Sequence, residues 1–127
     1  MDIQRAKDAV VKYEYGCDLR RLYPWSGVAS PVWGSAIASV RPGEATTPHA
    51  HDECETFIVL SGRGRMEIDD ETALLADGDV VFIPRNQTHS FCNLSDRERL
   101  VFISIFWDSP EARARMKTLV SEGREDV

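Results

Sequence analysis

The chain holds three histidines, and two of them stand one residue apart in His49-x-His51, followed after three residues by Glu55. Imidazole and carboxylate are the side chains that bind first-row divalent metals and move protons near neutral pH. In an extended segment, residues of equal parity face the same side. His49, His51 and Glu55 therefore point together, with Phe57 and Val59 behind them on the same side. The third histidine, His89, lies in a later β-textured segment and is predicted to return a further donor to that face. Three imidazoles and a carboxylate on one concave surface make a ligand set for one divalent metal ion. The set suits zinc or iron, and also manganese or nickel.

Those residues need strands to carry them. The first group is framed by glycines, Gly43-x5-His49-x-His51-x3-Glu55-x6-Gly62, and the second reads Gly78-x5-Pro84-x-Asn86-x2-His89-x3-Asn93. Short β-rich runs are predicted at 32–40, 56–60, 65–68, 72–75, 80–83, 88–92 and 100–107, with a hairpin turn at Asp69-Asp70-Glu71. Short strands with turn residues at intervals of roughly 8 to 12 residues indicate an all-β sandwich or barrel. Ahead of them, Ile3, Ala6, Val10 and Tyr13 fall on one face of a short helix predicted within 2–15 and ended by Gly16. Residues 17–31 read as loop or edge strand, with Tyr23 and Trp25 available to cover a core. At the other end, Ser109-Pro110-Glu111 is a helix start. An apolar stripe of Ala112, Met116, Leu119 and Val120 would pack that helix on the barrel wall.

The two glycine-framed segments resemble the two motifs of the cupin superfamily. The first matches at every defined position; the second departs at Asn86, where the family has glycine, and asparagine tolerates a left-handed turn. The resemblance implies a double-stranded β-helix, the cupin jelly-roll barrel, with short flanking helices. The chain is then one domain, 1–127, with an N-terminal extension over 1–31, the barrel over 32–107 and a C-terminal helix over 109–122. The 15 residues from Arg63 to Asp77 suit small single-domain members. The superfamily spans isomerases, dioxygenases, decarboxylases, storage proteins and sensors, so membership leaves the reaction open. The end of the barrel, Leu100 to Asp108, is similar to zinc cupin domains linked to class I aminoacyl-tRNA-synthetase-like domains in hydrazine-forming biosynthesis. That resemblance implies zinc on His49, His51 and His89, with Glu55 as fourth ligand or catalytic base. It further implies an amino-acid ester of an N-hydroxylated diamino acid as substrate, N–N bond formation, and a synthetase-like partner domain. An iron-dependent dioxygenase and a non-catalytic ligand-binding or sensor cupin are the alternatives.

The remaining composition narrows the partners. The 127 residues carry a net charge of −6 and a pI near 5.0. No run of cations exceeds Arg20-Arg21, so a small molecule is expected as the ligand and nucleic acid is not. No apolar run is long enough for a membrane span, and Met1-Asp2-Ile3-Gln4-Arg5 opens no signal peptide. Three cysteines, an odd number, point to reduced thiols in a cytoplasm. Cys54 and Cys92 have the opposite parity to Glu55 and His89 and should face away from the metal. Arg41, Arg65 and Arg85 are candidates for a carboxylate at the barrel mouth. Trp33, Phe57, Phe91, Phe102, Phe106 and Trp107 are candidates for the cavity wall. A homodimer is expected, through an extra edge strand at the N-terminus.

Overall fold

In a computed structural model, residues 1–121 are described and fold as two antiparallel sheets. Nine strands occur among these residues: β1 (Lys12–Glu14), β2 (Cys17–Tyr23), β3 (Trp33–Val40), β4 (Cys54–Ser61), β5 (Arg63–Ile68), β6 (Glu71–Ala76), β7 (Val80–Ile83), β8 (His89–Asn93) and β9 (Leu100–Trp107). The larger sheet has the order β1-β2-β3-β9-β4-β7 and the smaller the order β6-β5-β8. A non-consecutive order in two facing antiparallel sheets is the jelly-roll barrel expected from the sequence.

Alternation explains which side each strand buries. In β4, Glu55, Phe57 and Val59 are buried while Thr56 and Ile58 are not; in β9 the buried set is Leu100, Phe102 and Ser104. These inward positions meet in a core around Phe57, Phe91 and Phe102, whose ring centroids lie 4.3–6.0 Å apart. Offset and tilted aromatic contacts of this kind add to the stabilisation from burial itself. Phe57 of this core meets the His89 ring edge-on, with centroids 6.1 Å apart. The β5–β6 hairpin turns at Asp69, in the left-handed region at φ 50°, and Asp69 Oδ1 accepts a hydrogen bond from the Thr88 amide. That contact ties the hairpin to the approach of β8.

Two sequence expectations change at the ends. The helix predicted within 2–15 is instead a 3-10 turn at Ala6–Asp8 followed by β1. Ile3, Val10 and Tyr13 are exposed, so no helical face is buried there. The β-branched pair Val10-Val11 and the left-handed Tyr15-Gly16 turn favour a hairpin with β2. Residues 17–23 are likewise an interior strand, paired with β1 on one side and β3 on the other. Tyr23 and Trp25 do not cover the core but pack with Trp33 in a separate aromatic group. The C-terminal helix α1 (Pro110–Ser121) begins as expected, with Ser109 Oγ accepting from the Ala112 amide at 3.1 Å. Ala112 is half-buried. The side chains of Met116, Leu119 and Val120 and the helix end predicted at 122 lie outside the described residues. No helix among the described residues is long and apolar enough to cross a membrane.

Candidate metal centre

The site is built by a strand-like segment that belongs to no full strand. Residues 45–49 run antiparallel to β8, bridging Ala45 to Cys92 and His49 to His89. The His49 amide donates to the His89 carbonyl at 3.2 Å, and the His89 amide returns the bond at 3.0 Å. Cross-strand partners present their side chains on the same face, which sets two imidazoles side by side. His51 follows as the chain turns away, and its carbonyl accepts from the Asn86 amide at 2.9 Å. Asn86 sits at φ 63°, the left-handed conformation anticipated for it in the glycine position. Glu55 then enters from β4 as its first inward residue.

All four predicted site residues converge. The ring centroids of His49, His51 and His89 are 4.5–5.4 Å apart, and one nitrogen from each lies within 4.8 Å of the others. Glu55 Oε1 accepts from His51 Nε2 at 3.0 Å and lies 3.3 Å from His89 Nε2; Oε2 accepts from the Ser104 hydroxyl. His49 Nδ1 donates to the Thr47 carbonyl at 2.8 Å and His89 Nδ1 to the Gln87 carbonyl at 3.0 Å. With Nδ1 protonated, Nε2 of each ring carries the free lone pair.

His89 is 2% exposed, and its Nε2 has no hydrogen-bond partner among the described residues. His51 Nδ1 is likewise buried without a hydrogen-bond partner; buried acceptors without a donor are costly, and a metal ion is a partner that the three imidazoles and the carboxylate can share. The residues fit the implied ion. Burial pushes the Glu55 carboxyl upward, but the imidazoles of His51 and His89 and the Ser104 hydroxyl outweigh it and bring it down to about 2. His51 is correspondingly raised, chiefly by its hydrogen bond to Glu55.

The site opens into a cavity of about 590 Å³. Of the six aromatics expected at its wall, Phe57, Phe102 and Phe106 line it. Phe91 is sealed in the core beneath, Trp33 packs on Tyr23, and Trp107 faces Phe82, so these three do not. None of the expected arginines reaches it. Arg41 is held by Asp18, Arg65 by Glu67, and Arg85 by Asp52 and Asp108. Cys54 and Cys92 also lie off the cavity, where they accept contacts from Arg85 and Arg65. They are half-buried rather than fully enclosed.

The residues missed are Tyr15, Cys17, Arg21 and Glu53. Cys17, Leu19 and Arg21 alternate along β2 and all face the cavity, a signal hidden while 17–31 read as loop or edge strand. Arg21 is paired with Glu14 at 2.8 Å. Burial pushes the Cys17 thiol up to about 11, which makes it inert. The Glu53 carboxyl is also raised, first by burial, and makes no side-chain hydrogen bond among the described residues. Asn93 from the second motif is structural: its amide donates to the carbonyls of Val40 and Glu98, and its oxygen accepts from the Ser95 amide.

Comparison with known proteins agrees with this architecture. Residues 36–106 match the family model for the cupin domain. The chain is 36% identical over 89 residues to a protein named polyketide synthase CurC from Streptomyces cyaneus, covering 68% of this chain and 58% of that one. It spans about three-fifths of the length of its Streptomyces relatives. Among solved structures, the plu4264 protein of Photorhabdus luminescens is 31% identical with a TM-score of 0.76, covering 95% of this chain and 97% of that one. A cupin 2 conserved barrel domain protein from Salinispora arenicola is 27% identical with a TM-score of 0.79, covering 93% and 97%. With both motifs placed on the barrel and the match running from β3 to β9, the chain belongs to the cupin family.

Proposed function

We propose that the chain is a zinc-dependent enzyme acting on a small, carbonyl-rich substrate of the polyketide class by redox-neutral proton transfer and ring closure. The observation that carries this reading is the convergence of His49, His51, His89 and Glu55 beside an aromatic-walled cavity. Zinc held by these residues supplies Lewis acidity to adjacent carbonyl oxygens without redox chemistry. Both Glu55 oxygens are engaged, by His51 and Ser104, which suits a ligand and orienting role. Glu53 lines the cavity, with Oε1 4.0 Å from His51 Nδ1 and no side-chain hydrogen bond among the described residues, and takes the role of base. It removes a proton from the carbon between two carbonyls; that carbon bonds to a third carbonyl carbon, whose oxygen takes the proton back. Phe57, Phe102 and Phe106 hold the flat substrate and exclude water. A relative named as a polyketide synthase supports the substrate class.

The similarity at Leu100–Asp108 would instead bring in an N-hydroxylated diamino-acid ester. That segment is β9, whose alternation serves the core and the sheet face, as any such barrel strand would. None of the relatives named above carries that chemistry in its name, so the polyketide-class reading is preferred. The test is anaerobic proton–deuterium exchange at the central carbon of a 1,3-diketone probe, followed by NMR, with metal content measured on protein purified without added metal. Zinc in the purified protein, exchange by the wild type, and loss of at least tenfold in Glu53→Gln are expected. Iron in the purified protein with turnover only in dioxygen would overturn the reading in favour of a dioxygenase. Zinc-loaded protein that catalyses no exchange would overturn the proton-transfer step.

A further inference from the structure

The β1–β2 hairpin breaks a local rule beside the metal centre. Glu14 pairs with Cys17, leaving Tyr15 and Gly16 as a two-residue turn, with φ 54° and 77°. Both central residues in the left-handed region make a type I′ turn, whose first position favours asparagine, aspartate or glycine. A bulky aromatic there is strained, and strain retained in a tight turn calls for a compensating contact.

Three contacts provide it. The Tyr15 ring stacks on His49, with centroids 5.4 Å apart and planes 28° from parallel. The Tyr15 carbonyl accepts from the Thr47 amide at 2.8 Å, and the Thr47 carbonyl accepts from His49 Nδ1 at 2.8 Å. Gly16 lies so close to the same segment that a Cβ would meet the Ala45 carbonyl at 2.5 Å. The hairpin tip is thus docked on residues 45–49 from outside. The other two imidazoles have their own restraints: His89 is enclosed in the barrel, and His51 is hydrogen-bonded to Glu55. His49 is half-exposed; beyond the two neighbouring imidazoles, its ring is met by the Thr47 carbonyl and the Tyr15 ring.

We propose that the Tyr15 side chain is a positioning group for the metal centre, holding the His49 imidazole in its ligand orientation by ring stacking, while main-chain hydrogen bonds fix the turn against residues 45–49. The inference rests on the metal-binding reading of the three histidines. Residues that orient a ligand imidazole change metal affinity by roughly 10- to 100-fold when removed. A turn residue with no such role would change stability alone.

Asparagine separates the two roles, because it suits the left-handed turn better than tyrosine while removing the ring. Cobalt(II) is the probe, with its visible d–d spectrum and a chelator competition reporting geometry and affinity, alongside thermal unfolding of metal-free protein. Tyr15→Asn is expected to unfold at the wild-type temperature or above, to bind cobalt(II) roughly tenfold more weakly and to alter the spectrum. Tyr15→Phe keeps the ring and is expected to match the wild type in all three. Tyr15→Asn with wild-type affinity and spectrum would overturn the proposal and leave the metal reading intact. Should Tyr15→Asn not fold, Tyr15→Leu makes the same comparison: weakened binding by folded protein supports the role, and wild-type binding overturns it. A wild type that binds no cobalt(II) would instead overturn the metal reading, and this inference with it.

Discussion

At the scale of single residues, the histidines and Glu55 divide the work by burial. His89 and Glu55 are enclosed and need each other: an uncompensated carboxylate or imidazole at that depth would be costly. His51 is half-buried and touches Glu55 from the cavity side. Removing it therefore deletes a candidate ligand without opening the core. His51→Ala is expected to lose metal affinity by more than tenfold, while metal-free protein keeps its β-sheet circular dichroism and unfolds cooperatively. Metal content after dialysis, read beside the unfolding curve, checks this. Full metal occupancy in the variant would remove His51 from the ligand set.

At the scale of elements, the cavity depends on how β2 is fastened to the rest of its sheet. Asp18 of β2 accepts two hydrogen bonds from Arg41, both at 3.0 Å, and one from Arg99 at 2.8 Å, joining the segments that flank β3 and β9. The two guanidiniums hold the Asp18 carboxyl at about 2, below its ordinary 3.8. A depressed carboxylate stabilises the fold at pH above its unfolded value and loses that contribution as pH falls through its folded value. Asp18→Asn is therefore expected to be less stable than the wild type by about 1 kcal/mol at neutral pH, after allowing for solvent screening. The difference should shrink below about pH 4 and be lost as pH falls below about 2. Urea unfolding of both proteins across that range measures it, and a constant difference would show that the charge of Asp18 is not the cause.

At the scale of the whole molecule, one apolar row crosses the outer face of the larger sheet. Val80, Ile58, Ile103 and Ile37 are register partners in successive strands β7, β4, β9 and β3. Val80 is 63% exposed and Phe82 beside it 53%. A second copy of the chain is the occupant proposed for this face, in keeping with the homodimer expected from the sequence. β1, the segment expected to cross to a neighbour, pairs with β2 of its own chain. Dimeric mass by light scattering is expected for the wild type. Phe82→Lys should shift it toward monomer while leaving metal content unchanged. A monomeric wild type at micromolar concentration would end this proposal.

The sequence by itself determined the candidate ligands and most of the barrel strands around them. The spacing of His49, His51 and Glu55 is a local property, but alternation along β4 gives a direction only to Glu55, since His49 and His51 precede the strand across a bend; β7 and β9 were legible from runs of β-branched and aromatic residues. Asn86 could be assigned to a left-handed turn because its conformational tolerance is its own. Tertiary structure decided what depends on residues far apart in the chain. The pairing of His49 with His89, forty positions away, makes the two imidazoles neighbours, and neither local segment contains that information. β1 and β2 were misread because Val10 to Tyr23 carries weak and mixed periodicity, and becomes a hairpin only when β3 supplies an edge to pair with. With β2 unrecognised, its inward positions Cys17 and Arg21, and Tyr15 on its turn, could not be assigned to the cavity. The arginines were misplaced for a related reason: a guanidinium reaches whichever carboxylate the fold brings near, and the fold brought Asp18, Glu67 and Asp108.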